Sequence, residues 1–387
     1  MLKKISIIAF GNGFSLLVHL LLFPVIAKIV GPEIFGDYGY IYAIVQTIGF
    51  VCLFNMQKLL IASDEKNTVN IFTGGVLISL IISALFLISN YLLDLGLHPI
   101  ISVPLLFFIM VNELLISNLF RAEKYSSISL VTIFKKVTIS VLLICVVYYY
   151  QSYITMLLVT LITEVLYFFV FILWLKIFPS FDFNKLNIKS FYNKDFILIK
   201  SIQDLLNRVS AQLPIIYVKN YIGSIETGQY YFANKMIQAP MAIMTKAIRS
   251  VFFVRLSKDI KSFQTFDFVK ITLAYILFAI LGLSSLFFLE TQLMSLFDSS
   301  WSDSYNFFYY LFPMMVSNSM ASIFRDKMLL TGKNLVLLYL DVLLTVIRVY
   351  LFYLAIKSSM PLLNYIGLIA LTLIVFNFIT LLFSIKK

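Results

Sequence analysis

Long apolar stretches, separated by short polar breaks, occupy nearly the whole chain of 387 residues. A helix needs about 20 mainly apolar residues to cross a bilayer, at a rise of about 1.5 Å per residue. Stretches of about that length lie at residues 5–30, 38–62, 71–93, 102–120, 128–150, 154–176, 196–218, 228–250, 267–289, 305–325, 335–357 and 362–385. The pattern predicts an all-α polytopic membrane protein with about twelve transmembrane helices and almost no room for a soluble domain.

The composition agrees with a chain that lies in a lipid bilayer. Hydrophobic residues make up 61% and charged residues 13% of the chain, against roughly half and a quarter in a soluble domain, and the mean hydropathy is +0.95. The net charge is +11, but the basic residues lie at the ends of the apolar stretches rather than in one patch, so no nucleic-acid binding is expected. Cys52 and Cys145 both lie inside apolar stretches, which indicates neither a disulfide framework nor a metal site.

The distribution of basic residues predicts the orientation of the spans. With Lys3 and Lys4 in the cytoplasm, the even-numbered breaks are cytoplasmic as well, and about 23 of the 30 Lys and Arg residues fall on that side, as the positive-inside rule requires. This cytoplasmic set includes Lys135, Lys136 and Arg325, and the outward breaks hold Lys28, Lys219 and Lys357. Both termini are therefore expected in the cytoplasm.

Two similar glycine motifs divide the chain into halves. Val30-Gly31-Pro32-Glu33-Ile34-Phe35-Gly36-Asp37-Tyr38 follows the first span, and Ile222-Gly223-Ser224-Ile225-Glu226-Thr227-Gly228-Gln229-Tyr230 follows the seventh. Both read Gly-x4-Gly-x-Tyr at an offset of 192 residues, from Gly31 to Gly223. Two glycines in such a turn indicate closely packed helices and backbone angles that other residues avoid.

The repeat predicts the domain organisation. We expect an N-terminal six-helix bundle at 1–176, a cytoplasmic linker at 177–195 and a C-terminal six-helix bundle at 196–387. Because six is an even number, the two bundles have the same orientation, which implies a pseudo-two-fold axis along the membrane normal.

The chain resembles a known family in these motifs. The turn from Ala27 to Tyr38 is similar to the first loop of the O-antigen and polysaccharide flippases, the polysaccharide-transport branch of the multidrug/oligosaccharidyl-lipid/polysaccharide exporter superfamily. The stretch from Asn207 through Gly223, and the later stretch 228–235 with Pro240, resemble the matching region of that family. One position departs from the pattern, because the family often carries an acidic residue where this chain has Ser210.

The resemblance implies two six-helix bundles around a central cavity that opens alternately to each face. The implied cargo is an undecaprenyl-diphosphate-linked oligosaccharide, the repeat unit of an O antigen or another surface polysaccharide. The cargo would pass from the cytoplasmic to the outer leaflet of a bacterial inner membrane. Coupling to a proton or sodium-ion gradient, and a polysaccharide polymerase as partner, are implied as well.

Basic residues inside the spans are the first candidates for binding this cargo. An ionisable group at membrane depth costs several kcal/mol unless it pairs or faces water, and Arg can hold phosphate oxygens bidentately. The candidates are Arg208, Arg348, Lys235, Lys28 and Lys246. Plainer interpretations are an ion pair of Arg208 with Asp204, an ion pair of Arg348 with Asp341, and lysines Lys28 and Lys246 that reach the membrane surface.

Polar residues of the seventh span recur every three or four positions and therefore share one helical face. This face consists of Lys200, Gln203, Asp204, Asn207, Arg208, Ala211 and Gln212. The offset of 192 places Asn12 and Ser15 of the first span at the positions of Asp204 and Asn207, and Asn234 adds a polar group beside Lys235. Glu113 and Glu164 are candidates for taking up a proton or sodium ion, with a neutral, helix-bonded acid as the alternative.

Enzyme signatures are missing from the sequence, which contains no His-Glu-x-x-His, no Cys-x-x-Cys and no Gly-Lys-Ser/Thr nucleotide loop. We therefore expect a transporter without cofactor or metal. A multidrug or ion antiporter of the same superfamily is one alternative, although it should have acidic rather than basic cavity residues. A membrane polysaccharide polymerase or ligase is another, but it would usually need a large outward loop, and the longest outward break spans 290–304.

Overall fold

The chain is helical throughout the part that is described. The computed structural model describes residues 2–53, 55–62, 65–93, 96–174, 195–258, 265–296 and 299–385, and no strand occurs in these ranges. The helices are α1 (Leu2–Cys52), α2 (Met56–Ala62), α3 (Glu65–Leu93), α4 (Pro99–Arg121), α5 (Tyr125–Tyr149), α6 (Tyr153–Phe169), α7 (Asp195–Tyr217), α8 (Ser224–Lys258), α9 (Thr265–Leu296), α10 (Ser302–Leu330), α11 (Asn334–Lys357) and α12 (Leu362–Ile385). Single π-helical turns extend α6 at Val170–Trp174 and α7 at Val218–Ile222.

Helix α1 contains two of the predicted spans, which are separated at Gly31. This residue has φ 75° and ψ 166°, which interrupts the helical path, and glycine adopts such angles at no steric cost. The second span is interrupted again at Asn55, with φ 57°, before α2 completes it. With α1 counted as two helices, every predicted span falls on a helix of the described ranges. The prediction of an all-α polytopic protein with about twelve helices is confirmed.

Eight helical segments of the described ranges are long and apolar enough to cross a membrane. They are Gly13–Cys52, Asn67–Leu92, Pro99–Arg121, Tyr125–Tyr149, Tyr153–Leu173, Lys270–Phe288, Asn334–Lys357 and Leu362–Ser384. Helix α7 is not among them, because its middle carries the polar face of Gln203, Asp204, Asn207 and Arg208. A helix with this composition needs polar groups or water beside it inside a membrane.

The chain forms two compact units. The first contains Met1–Val30 and Tyr38–Val209, and the second contains Gly31–Asp37 and Ser210–Lys387. In the first unit α4 packs against α2, α3 and α6, and α5 packs against α6. In the second unit α10 packs against α8, α9 and α12, and α11 packs against α12. The predicted boundaries at 1–176, 177–195 and 196–387 stay a prediction, and most of the linker lies outside the described residues.

Within the second unit, the two glycine motifs pack directly against each other. A Cβ atom added to Gly36 would overlap the main chain of Ser224 and Gly228, and one added to Gly228 would overlap the carbonyl group of Pro32. The offset of 192 that relates Gly36 to Gly228 also relates Pro32 to Ser224, so the two contacts are equivalent in the repeat. Gly36 and Gly228 are therefore required for close approach of two helices, whereas Gly31 is the one of the four motif glycines, all of them described, that has a positive φ in the region reserved for glycine.

Aromatic and charged side chains hold the segment Gly31–Asp37 in the second unit. The Phe35 ring is fully buried, with its centroid 5.5 Å from that of Tyr231 and 5.9 Å from that of Trp301. At the end of the segment, the carboxylate of Asp37 forms an ion pair with the ammonium group of Lys219. Lys219 is thus a structural cation of the second unit.

Candidate functional site

Among the residues of the predicted polar face of α7 whose side chains are described, Arg208 is an exposed cation. Gln203 is buried, Asp204 and Asn207 are half-buried, and Arg208 is exposed. The guanidinium carbon of Arg208 lies 4.9 Å from the centroid of the Phe50 ring, which is within the range of a cation–π interaction. In the described structure Arg208 forms no ion pair, so the plainer interpretation of a pair with Asp204 is not realised.

A second group of polar residues, which we name the acid–base cluster, lies in the first unit and consists of Glu164, Lys135, Asn112 and Glu113. Oε2 of Glu164 lies 2.8 Å from the Lys135 ammonium nitrogen and accepts a hydrogen bond of 2.9 Å from the Asn112 side-chain amide. The ammonium group also lies 4.6 Å from the centroid of the Tyr167 ring. Glu113 is half-buried and interacts electrostatically with Lys135, Glu164 and Arg208.

The position of Lys135 corrects the assignment of this residue to a cytoplasmic connection. The structure places it in the third turn of α5, beside a carboxylate that is only 2% exposed. The signal was present in the sequence, because the span predicted at 128–150 already contains Lys135. A buried acid on α6 is the physical reason why the lysine is tolerated there.

A third group, the Arg348 cluster, lies inside the second unit and consists of Arg348, Ser210, Tyr230 and Tyr365. Arg348 is 6% exposed, and its Nη1 donates a hydrogen bond of 2.8 Å to the hydroxyl oxygen of Ser210 on α7. The family pattern often has an acidic residue at position 210, and here an arginine approaches a serine instead. Tyr230 on α8 and Tyr365 on α12 are buried and interact electrostatically with the same guanidinium group.

Asp341, the predicted alternative partner of Arg348, contacts a different arginine. Its carboxylate oxygen lies 2.8 Å from Nη2 of Arg325 on α10. Arg325 was assigned to a cytoplasmic connection, and the structure places it in the last third of α10, 24% exposed. Beside it, Asp326 receives two hydrogen bonds from Arg249 on α8, of 2.8 Å and 2.5 Å. The carboxylate of Asp341 therefore links α11 to α10, and that of Asp326 links α10 to α8, within the second unit.

The remaining candidates are distributed over both units. Lys235 is half-buried on α8, where its ammonium group lies 5.3 Å from the centroid of the Tyr231 ring and donates a hydrogen bond of 3.4 Å to Gln238. Asn234 and Gln212 are half-buried, Ser15 is buried and Lys28 is exposed. The side chains of Asn12 and Lys246 lie outside the described part of the structure. The roles proposed for all of these residues stay predictions.

The sequence of the chain matches one protein family over most of its length. The family is described as polysaccharide biosynthesis protein, and the match covers residues 25–306. No curated protein matches the chain.

Solved structures of membrane transporters resemble the fold over its whole length. An outward-facing and an inward-facing conformation of a multidrug resistance MATE family transporter of the MOP superfamily have TM-scores of 0.64 and 0.63, at 15% and 14% identity. Both likenesses cover 99% of this chain and 94% of the other. A MOP superfamily transporter from Pyrococcus furiosus has a TM-score of 0.61 at 15% identity, and the likeness covers 99% of this chain and 94% of that transporter. Its binding pocket is described as having a reverse polarity that suggests a different function.

Proposed function

The chain belongs to the polysaccharide biosynthesis protein family, and from that premise we propose that it is a flippase for an undecaprenyl-diphosphate-linked oligosaccharide. The family and the fold are those of multi-pass membrane transporters, so the expectation of a transporter rather than an enzyme is confirmed. The proposed cargo is the repeat unit of an O antigen or another surface polysaccharide. The proposed direction is from the cytoplasmic to the outer leaflet of a bacterial inner membrane.

The exposed guanidinium group of Arg208 is the observation that carries this proposal. A lipid diphosphate is an anion, and a cation at membrane depth attracts it strongly when no protein acid neutralises the charge. The Phe50 ring engages one face of the guanidinium group. The five N–H donors lie in the plane of that group, so they stay directed at a ligand and can hold phosphate oxygens in pairs.

Alternating access is the proposed mechanism. Transporters with this fold have been solved in inward-facing and outward-facing conformations. The head group would bind to the cationic face of α7 from the cytoplasmic side and leave on the other side, while the lipid tail stays in the bilayer. A central cavity and the contributions of Lys28, Lys235 and Lys246 to it belong to the same proposal.

The acid–base cluster is the proposed site of ion coupling. Glu164 has a cation, the Lys135 ammonium group, at 2.8 Å and an amide donor at 2.9 Å. Uptake of a proton or sodium ion by Glu164 or Glu113 would change the charge balance of this cluster and, through Glu113, the field at Arg208. A gradient could then bias the affinity for the anionic head group.

Multidrug or ion antiport is the second candidate function, because the resembling structures include multidrug transporters. That function predicts acidic groups for cationic substrates. Arg208, on the described part of the polar face of α7, is exposed. The position that is often acidic in the family is occupied here by Ser210, which contacts Arg348. The exposed Arg208 favours an anionic substrate, and the Arg348–Ser210 contact leaves no acidic group at the position that is often acidic in the family.

A reconstituted transport assay tests the flippase. The purified chain is inserted into liposomes that contain a fluorescent undecaprenyl-diphosphate oligosaccharide, and transfer between leaflets is followed by quenching from outside. We expect protein-dependent transfer, its loss in Arg208→Ala, and partial activity in Arg208→Lys, which keeps the charge without the paired donors. Arg121→Ala, at the last turn of α4, is the matched control and should transport normally.

Two results would contradict the proposal. Absence of protein-dependent transfer of the lipid would exclude flippase activity. Normal transfer by Arg208→Ala, with the variant inserted at wild-type level, would assign Arg208 to packing against Phe50. Transport of a cationic dye instead of the lipid would favour the antiporter.

A further inference from the structure

The interior of the second unit contains an arginine, Arg348, whose N–H groups are not all hydrogen-bonded within the described residues. Arg348 is 6% exposed, and only its Nη1 has a hydrogen-bond acceptor, the hydroxyl of Ser210 at 2.8 Å. Within the described residues, Nε of Arg348 and the hydroxyl group of Tyr365 are buried without a hydrogen-bond partner. A buried donor without an acceptor destabilises the folded state. An unneutralised charge destabilises it more.

The neighbouring carboxylates are already engaged by other arginines. Asp341 contacts Arg325 at 2.8 Å, and Asp326 accepts two hydrogen bonds from Arg249. In this described network of α8, α10 and α11, two carboxylates therefore face three guanidinium groups, counting Arg348. One positive charge is left over, and it belongs to the most deeply buried arginine.

Groups from four helices surround this charge. Ser210 lies on α7, Tyr230 on α8, Arg348 on α11 and Tyr365 on α12. All four side chains are less than a tenth exposed. Both tyrosines interact electrostatically with the guanidinium group, and a phenolic hydroxyl can donate to an anion as an N–H group does. Because all four side chains are so deeply buried, we expect a small ion rather than a lipid head group beside the guanidinium group.

We propose that Arg348, Ser210, Tyr230 and Tyr365 form a binding site for a small inorganic anion of the size of chloride. The anion neutralises Arg348 and accepts the hydrogen bonds that Nε and the Tyr365 hydroxyl lack. The site would hold Ser210 of α7 together with α8, α11 and α12 around one ion. It involves other residues than the proposed recognition of the diphosphate by Arg208 and does not depend on that proposal.

Chloride binding by the purified full-length chain tests the site. Equilibrium dialysis with radioactive chloride should give one bound ion per chain, and the Tm should be higher in sodium chloride than in sodium gluconate at equal ionic strength. Arg348→Gln should abolish both effects. Tyr365→Phe removes one hydroxyl group and keeps the ring, whose centroid lies 4.4 Å from that of Tyr217. This variant should bind chloride on the order of tenfold more weakly.

The control is Arg208→Gln, which changes an exposed arginine of the first unit and should bind chloride as the wild type does. Absence of chloride binding by the wild-type chain would overturn the proposal and would leave water as the partner of the buried donors. If Arg348→Gln does not fold, the chloride affinity of Tyr365→Phe alone decides. An affinity equal to that of the wild type would then overturn the proposed chloride site. Displacement of chloride by inorganic phosphate would contradict the proposed size of the site.

Discussion

One buried carboxylate in each unit is neutralised by a cation on a neighbouring helix. Glu164 on α6 contacts Lys135 on α5, and Asp341 on α11 contacts Arg325 on α10. Both carboxylates are only 2% exposed. Removing one partner of a buried pair leaves the other charge in an apolar environment, which costs more than the pair contributes when it is intact. Replacing one partner of such a pair should therefore lower the stability of the folded state, whereas replacing both partners by uncharged residues should lower it much less.

Neutralising Glu164 alone should destabilise the first unit. In Glu164→Gln, the Lys135 ammonium group keeps its position beside the Tyr167 ring but loses its counter-charge, and we expect the free energy of unfolding to fall by about 3 kcal/mol. The double variant Lys135→Met, Glu164→Gln should recover most of this loss, because no unpaired charge remains. Thermal unfolding of the purified chain in detergent measures both changes. Equal losses in the single and the double variant would mean that the pair has no such coupling.

The residues of the candidate site were predictable from the sequence, but most of their partners were not. The three- and four-residue spacing placed Arg208 on one polar face of α7, and the position of Arg348 inside an apolar span marked it as a candidate cation for binding the cargo. Partners within one helix can be proposed from spacing, which is why Asp204 and Asp341 were considered. Arg348 contacts Ser210 instead, 138 residues away in sequence. Such a contact depends on packing between helices, and spacing carries no information about it.

At the scale of the helices, the Gly36–Gly228 contact brings two main chains closer than a side chain allows. A methyl group at either position would overlap backbone atoms of the other motif, whereas a Cβ at Gly13 of α1 would meet no atom within 4 Å. We expect Gly36→Ala and Gly228→Ala each to lower the Tm clearly. The double variant should lose less than the sum of the two, because both substitutions separate the same pair of helices.

Gly13→Ala is the control for these variants, since it adds the same methyl group inside a helix with open space beside it. Its Tm should equal or exceed that of the wild type, because Ala favours helix by about 1 kcal/mol over Gly. The Tm values are read from fluorescence-detected size-exclusion chromatography of heated samples. Wild-type stability of Gly36→Ala, or strictly additive losses in the double variant, would contradict the reciprocal contact.

The break in α1 leads to a separate prediction for Gly31. Its φ of 75° and ψ of 166° lie in a region that is essentially restricted to glycine, and not in the left-handed helical region that Asn tolerates. No atom lies within 4 Å of a Cβ at this position, so the cost of a substitution is conformational only. Gly31→Ala and Gly31→Asn should each lose about 1 to 3 kcal/mol of folding free energy. A normal Tm for Gly31→Asn would indicate a left-handed helical conformation at the break.

The helices themselves were predicted well, and the reason is physical. A bilayer imposes a length and an apolar composition on each span, so the predicted range 335–357 differs little from α11 (Asn334–Lys357), and 362–385 coincides with α12 (Leu362–Ile385). The break in α1 at Gly31 falls between the predicted spans 5–30 and 38–62, as the glycine motif indicated. The role of Gly36 and Gly228 was predicted only in part, since the motif indicated close packing without giving the partner.

For the molecule as a whole, the family and the fold indicate a multi-pass membrane protein, and its orientation stays a prediction from charge. Basic residues are retained on the cytoplasmic side during insertion. The connection between α10 and α11 is flanked by Lys327 and Lys333, and the connection between α11 and α12 contains only polar and apolar residues after Lys357. Because α11 crosses the membrane once, these two connections must face opposite sides.

Cysteine labelling in intact cells tests this orientation. In a chain with Cys52 and Cys145 replaced by Ala, we introduce Thr331→Cys before α11 or Ser358→Cys after it, two positions that are both exposed. A membrane-impermeant maleimide should label Ser358→Cys directly and Thr331→Cys only after the membrane is permeabilised, because the positive-inside rule places Lys327 and Lys333 in the cytoplasm. The reverse pattern would place both termini outside, and direct labelling of both positions would contradict a membrane crossing by α11.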